Sequence, residues 1–182
     1  MTEAFLVSTG LVALAEMGDK TQLLSLVLAA RFRRPWPIVL GIFFATLANH
    51  ALAAALGGWL NDFVGPDRMR IAIGIGFLAM AAWTLIPDTL DEAPRNRLGV
   101  FATTCIAFFL AEMGDKTQVA TVALAARYAA FASVVLGTTA GMMLANVPVV
   151  LLGERLSARL PLKLLRRLAA ACFAVLGVAA LI

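Results

Sequence analysis

Apolar residues run along this chain in long unbroken stretches separated by short polar or basic clusters, with little polar-apolar alternation. The stretches are roughly Ala4 to Ala30, Ile38 to Leu60, Met69 to Ile86, Leu98 to Ala126, Ala129 to Gly153 and Arg166 to Ile182. About 20 apolar residues carry a helix across a bilayer core, so the pattern predicts six transmembrane helices. The third and sixth stretches are short. Each follows a proline (Pro66, Pro161) and lies beside basic residues (Arg68 and Arg70; Lys163, Arg166 and Arg167) whose long side chains can snorkel to the interface.

Composition strengthens this reading. Of the 182 residues, 62% are hydrophobic and only 14% charged, with a mean hydropathy of +0.90, too few charges to clothe a soluble core. The expectation is an all-α integral membrane protein with one transmembrane domain over residues 1–182 and a lipid bilayer around it. No basic segment precedes the first apolar run, which therefore reads as a span and not a cleaved signal. The net charge of +4 comes from basic clusters between apolar runs, so a nucleic-acid partner is set aside. Cys105 and Cys172 sit inside apolar stretches without metal or disulfide spacing.

Outside a repeated heptapeptide considered below, one set of connections holds Arg31, Arg33, Arg34, Arg95, Arg97, Arg155, Arg159, Lys163, Arg166 and Arg167, and the other holds Arg68, Arg70 and Arg127. The excess of positive charge marks the cytoplasmic side, which places both termini outside.

The strongest organising signal is repetition. "EMGDKTQ" occurs at Glu16 to Gln22 and again at Glu112 to Gln118, the likeness runs on to Phe32 and Tyr128, and "LAN" recurs at Leu47 to Asn49 and Leu144 to Asn146. Two three-helix repeats follow, residues 1–87 and 98–182, joined by a polar cytoplasmic linker at 88–97. Because three is odd, the second repeat enters the membrane from the opposite side, giving an inverted pair.

On a continuous helix, about 100° per residue would place Glu16, Asp19 and Lys20 within an arc of roughly 100°, with Gly18 on the reverse as a helix-packing point. The same holds for Glu112, Asp115, Lys116 and Gly114. Ionisable groups near mid-span cost on the order of 2.5 to 3.5 kcal/mol each against lipid, so they should face the bundle interior and one another. Four carboxylates and two ammonium groups leave a formal charge of −2, which one divalent cation or two protons would neutralise. Crowded carboxylates disfavour one another's ionised forms, and a bound cation favours them. Metal and protons then compete for one site, the thermodynamic basis of an exchanger. The donors are Glu16, Asp19, Glu112 and Asp115, with Thr21, Gln22, Thr117, Gln118, Asn49 and Asn146 as additional ligands. Hard oxygens of this kind suit Mn2+, Ca2+ or Mg2+ over copper or zinc.

The doubled Glu-Met-Gly-Asp-Lys-Thr motif in a six-span chain resembles the Glu-φ-Gly-Asp-(Lys/Arg)-(Thr/Ser) signature of the Gdt family of manganese and calcium transporters, found in the Golgi, in chloroplasts and in bacteria. The likeness covers essentially the whole chain and holds at every signature position, with Met17 and Met113 at φ. It implies a secondary active transporter and not an enzyme, exporting Mn2+ in exchange for protons or another monovalent cation, with a Ca2+/H+ antiporter on the same site as the alternative. It also implies the four carboxylates as the cation ligands, no resident cofactor, and the compact form found in bacterial cytoplasmic (inner) membranes.

Lys20 and Lys116 are expected to balance charge and orient carboxylates; a plain i,i+4 pair with the preceding glutamate is the structural alternative. Thr21 and Thr117 could instead bond the carbonyl four residues back, and Asn49 and Asn146 could be interhelical glue. His50, present only in the first half, is either a satisfied polar contact or a proton relay. An intramembrane carboxylate protease is disfavoured because its Gly-x-Gly-Asp pattern is absent and a Lys follows each Asp. A passive channel is disfavoured by the inverted repeat, which suits alternating access. The abundant small residues are compatible with a homodimer.

Overall fold

The structure, a computed structural model, describes residues 1–86, 98–153 and 161–182. The expected linker at 88–97, and with it Arg95 and Arg97, lies outside the described residues, as do Arg155 and Arg159. Eight helices and no strand are found among the described residues: α1 (Thr2–Glu16), α2 (Lys20–Phe32), α3 (Pro35–Val64), α4 (Pro66–Thr84), α5 (Val100–Glu112), α6 (Lys116–Tyr128), α7 (Phe131–Leu152) and α8 (Leu162–Leu181).

The local causes of the boundaries are visible in the sequence. Pro35 and Pro66 stand in the first turns of α3 and α4, where the missing N–H is no loss. Arg33 and Ala129 close α2 and α6 in the left-handed conformation, with φ of 52° and 47°, each donating its N–H to the carbonyl four residues back. These are matching positions of the two repeats, so one chain reversal is built twice.

Among the described residues three helices are long and apolar enough to cross a membrane: α3, α7 and α8, of 30, 22 and 20 residues. The second, fifth and sixth expected spans correspond to these helices, and the third to α4. The first and fourth do not exist as single helices. Each is divided in two, α1 with α2 and α5 with α6, at the heptapeptide.

Packing follows the repeat. α1 and α2 lie against α7, as α5 and α6 lie against α3; α3 meets α7, and α4 meets α8. Backbone contacts are duplicated with the same spacing. A Cβ on Gly41 would fall 2.7 Å from Thr104 Cβ and 3.0 Å from the Phe101 carbonyl oxygen, and one on Gly137 would fall 2.9 Å from Ser8 Cβ and 2.6 Å from the Phe5 carbonyl oxygen. Glycine at these two points is what lets the paired helices touch along their backbones.

The distribution of polarity is that of a membrane protein. Leu6, Leu40, Phe44, Leu52, Ile75, Leu136 and Leu144 are exposed on the outside, while Glu16, Thr21, Ser25, Asn49, His50, Glu112 and Asn146 are wholly buried. An apolar exterior suits lipid, and buried ionisable groups at helix junctions mark a functional interior.

Candidate functional site

The heptapeptide is a helix break in both repeats. α1 ends at Glu16, Met17 is extended (φ −67°, ψ 109°), Gly18 takes φ +88°, and Asp19 (φ −86°, ψ 170°) is the N-cap of α2. The second copy repeats this geometry: Met113 (φ −64°, ψ 118°), Gly114 at φ +77° and Asp115 (φ −86°, ψ 167°) capping α6. The expected helical stripe is therefore corrected, since the chain turns between Glu16 and Lys20 and no single wheel describes them. Both glycines supply a left-handed backbone that costs a residue with a side chain about 1–2 kcal/mol. A Cβ on Gly114 would meet nothing within 4 Å, so the expected packing point is corrected there, whereas one on Gly18 would fall 3.1 Å from the side chain of Leu162 at the start of α8, a close approach of another helix.

Each break is held by its own glutamine. The Gly18 N–H donates to Gln22 Oε1 at 2.9 Å and the Gly114 N–H to Gln118 Oε1 at 2.7 Å. The C-terminal, partly negative ends of α1 and α5 and the N-terminal, partly positive ends of α2 and α6 thus lie at the breaks. Such broken helices supply both backbone carbonyls and oriented dipoles for ions.

The four carboxylates are buried, with Asp19 the most exposed at 4%. One oxygen from each of Glu16, Asp19 and Asp115 lies within 4.8 Å of the others. Oxygens on opposite sides of a calcium-sized ion are separated by about 5 Å, so these three can share one hard cation. Glu112 stands outside that triangle: its Oε2 accepts a hydrogen bond from Thr117 Oγ1 at 3.0 Å and lies 3.8 Å from His50 Nε2. Oε1 of Glu16, Oε1 of Glu112 and Oδ2 of Asp115 have no hydrogen-bond partner among the described residues. Buried oxygens without partners call for a proton or a cation.

The lysines pair crosswise between repeats, each with the aspartate of the other heptapeptide. Lys20 Nζ is 3.2 Å from Asp115 Oδ1, and Lys116 Nζ is 3.1 Å from Asp19 Oδ1. With two ammonium groups set against two aspartates, the formal charge of −2 falls on Glu16 and Glu112. Thr21 and Thr117 do not bond back along their helices; both hydroxyls donate to Oε2 of the glutamate before the break, in Glu16 and Glu112. Each threonine therefore fixes a glutamate across the turn.

The amides brace one repeat against the other. Gln118 Nε2 donates to Asn49 Oδ1, whose Nδ2 donates to the Phe109 carbonyl at 3.3 Å. Gln22 Nε2 donates to the Ala145 carbonyl at 3.2 Å, and Asn146 Oδ1 accepts from Ser25 Oγ at 2.7 Å. All four amide oxygens already accept protein hydrogen bonds, which sets them apart from the carboxylates. His50 is wholly buried, and neither ring nitrogen has a hydrogen-bond partner among the described residues.

Ser25 and the backbone at the breaks were not foreseen from sequence. The signal for the break was present: glycine, then aspartate as N-cap, then glutamine at the third helical position, a relative of the capping box. The long apolar run around it masked that signal.

Comparison with known proteins identifies a family. The model of the family described as "Divalent cation/proton antiporter GDT1" matches residues 4–92 and 100–182. A Vibrio cholerae protein named "Putative manganese exporter" is 53% identical over 175 residues, covering 95% of this chain and 88% of that one. A GDT1-like protein of Synechocystis is 29% identical over 171 residues, covering 80% and 79% of the two chains. No solved structure gives a significant match. With doubled motifs at paired helix breaks and the family model matching nearly its whole length, the chain belongs to the GDT1 family of divalent cation/proton antiporters.

Proposed function

We propose that this protein exports Mn2+ from the bacterial cytoplasm in exchange for protons, on a single site formed by Glu16, Asp19 and Asp115 with Glu112 beside it. The observation that carries the reading is the meeting of three buried carboxylates, from two repeats, within 4.8 Å. Manganese as cargo is supported by the name of the 53% identical relative. Hard oxygen donors alone accept Ca2+ as well.

In this reading the chain crosses the membrane six times, two of the crossings being the broken pairs α1–α2 and α5–α6. The repeats are inverted, and both termini lie outside. Mn2+ displaces the protons held by the glutamates, and protons arriving from outside displace Mn2+, because the −2 charge left by the crossed Lys–Asp pairs is satisfied by either. Thr21 and Thr117 keep Glu16 and Glu112 in place during the exchange. His50, facing Glu112, is the group through which protons reach that carboxylate.

The test is uptake of Mn2+ and Ca2+ into proteoliposomes carrying an imposed pH gradient. The wild type accumulates Mn2+ against its gradient, and Glu16→Gln, Asp19→Asn and Asp115→Asn each abolish that accumulation. Flux that a proton gradient cannot drive uphill would instead support a passive channel. Normal flux in the Glu16→Gln, Glu112→Gln double variant would remove the proposed role of the glutamates.

A further inference from the structure

Basic side chains are sparse at the end of the bundle where α3 and α6 finish and α4 begins, and two of them meet there. Of Arg68, Arg70 and Arg127, the three that the tally of connections assigns to that side, Arg70 and Arg127 line one cavity of about 440 Å3, together with Asn61, Met69, Ala126 and Ala180. Arg70 stands near the start of α4 in the first repeat, and Arg127 in the last turn of α6 in the second. Arg127 Nη1 donates to the Leu176 carbonyl at 3.4 Å and Arg70 Nη1 to an oxygen of Ile182 at 3.5 Å, both at the long limit for a hydrogen bond. No Asp or Glu side chain among the described residues lies within ion-pair distance of either guanidinium. Each guanidinium carries five donors, so most of the donor capacity at this cavity is left to solvent or a ligand.

Two further features say which ligand. Trp59 and Phe63 bracket Asn61 on α3, exposed and stacked with ring centroids 5.4 Å apart, and Trp36 is exposed at the other end of the same helix. At about 1.5 Å per residue, Trp36 and Trp59 are roughly 35 Å apart, slightly more than a hydrocarbon core of ~30 Å. These aromatics therefore mark the headgroup levels, and the arginine cavity lies at one of them. A second cavity, of about 410 Å3 and lined only by apolar residues, runs along α8 past Ala174, Val175 and Val178 and shares Ala179 with the first. A cationic pocket at headgroup depth that continues into an apolar groove towards the hydrocarbon has the shape of a phosphate with an acyl chain attached.

We propose that Arg70 and Arg127 hold the phosphate of an anionic phospholipid, with one acyl chain in the groove along Val175 and Val178. Arginine forks match phosphate oxygens two at a time, and a zwitterionic lipid would bring a cationic amine up to the same pair. One phosphate between the two side chains ties α4 of the first repeat to α6 and α8 of the second. Close by, α4 and α8 otherwise meet through apolar contacts, such as Gly74 against Leu181. The lipid is thus a structural ligand of the seam between repeats and takes no part in the ion site. In the proposed topology it is drawn from the outer leaflet, but the chemistry of the pocket is the same in either orientation.

The test uses the full chain, purified in detergent and stripped of lipid, and no transport step enters its readout. Dissociation constants for dioleoyl phosphatidylglycerol, dioleoyl phosphatidylcholine and inorganic phosphate are read from titrated shifts of the unfolding temperature. Phosphatidylglycerol is expected to bind at least about tenfold more tightly than phosphatidylcholine, and far more tightly than inorganic phosphate, which lacks the chain. Arg70→Gln and Arg127→Gln should each weaken phosphatidylglycerol about fivefold or more, the factor carried by one basic side chain at a charged lipid surface. The pair Arg34→Gln and Lys163→Gln removes two exposed charges at the other end of the bundle and should change it less than about twofold. Val178→Phe fills the groove without altering charge and should weaken phosphatidylglycerol while leaving inorganic phosphate unchanged; lying on the outer surface of α8, it also serves if the arginine variants fail to assemble. Equal affinity for the two lipids, or an equal loss in the control pair, would mean general attraction to charge and overturns the proposal. Inorganic phosphate binding as tightly as phosphatidylglycerol would mean an anion site without a lipid, and overturns it as well.

Discussion

The glycines of the two breaks and the glycines of the helix contacts can be told apart by a reversal of order between two substitutions. At Gly114 the constraint is a φ of +77° with nothing within 4 Å of a Cβ. Alanine there is forced into the left-handed region at about 1–2 kcal/mol. Asparagine is several-fold more tolerant of that region, which recovers on the order of 1 kcal/mol, and its larger side chain has space. At Gly137 the backbone is helical, but a Cβ would sit 2.6 Å from the Phe5 carbonyl oxygen and 2.9 Å from Ser8 Cβ. Any side chain must push α1 from α7, at about 1–3 kcal/mol for the first carbon and more for a longer group. The expected order of stability is therefore Gly114→Asn above Gly114→Ala, and Gly137→Ala above Gly137→Asn. Thermal unfolding of purified protein in one detergent, with Mn2+ flux in parallel, measures both pairs. If alanine is better tolerated than asparagine at Gly114, that glycine is a packing point after all and the helix-break account of the motif is wrong.

Other outcomes follow from the same geometry. Saturating Mn2+ should raise the unfolding temperature of the wild type, by an amount equivalent to about 2.7 kcal/mol at a hundredfold excess over Kd, and should not raise that of Asp115→Asn; an equal rise in both would mean the ion binds elsewhere. Thr117→Val leaves Glu112 without its hydroxyl donor and should cost about 1–3 kcal/mol of stability, read as a lower denaturation midpoint, with wild-type stability arguing that the glutamate does not need this anchor. His50→Leu replaces a buried ring whose nitrogens lack hydrogen-bond partners and should leave the unfolding temperature unchanged or higher; a drop of many degrees would reveal a structural partner for the imidazole.

Much of the candidate site was legible in the sequence. The doubled heptapeptide singled out the four carboxylates, the two lysines and the two threonines as candidates, because ionisable groups in apolar runs have few explanations other than function; three of the carboxylates meet, and Glu112 stands outside them. "LAN", repeated in α3 and α7, pointed to Asn49 and Asn146 before their partners were known. The length of the apolar stretches predicted α3, α7 and α8 closely. It misjudged the first and fourth spans, since an apolar count is blind to backbone direction. Alanine and leucine on both sides of Glu-Met-Gly-Asp favour helix, and the break comes from one glycine and one cap.

The sequence by itself determined that ionisable groups would be buried, that they would occur twice, and that the surrounding surface would be apolar, because these depend only on residue type and local order. Tertiary structure alone decided which charges meet. Lys20 could have paired with Glu16 on a continuous helix; the break turns it towards Asp115 of the other repeat, and turns Lys116 towards Asp19. It also decided that three carboxylates gather while Glu112 stands aside. Those distinctions depend on how the halves pack against each other, and a pair of identical seven-residue strings carries no information that could separate them.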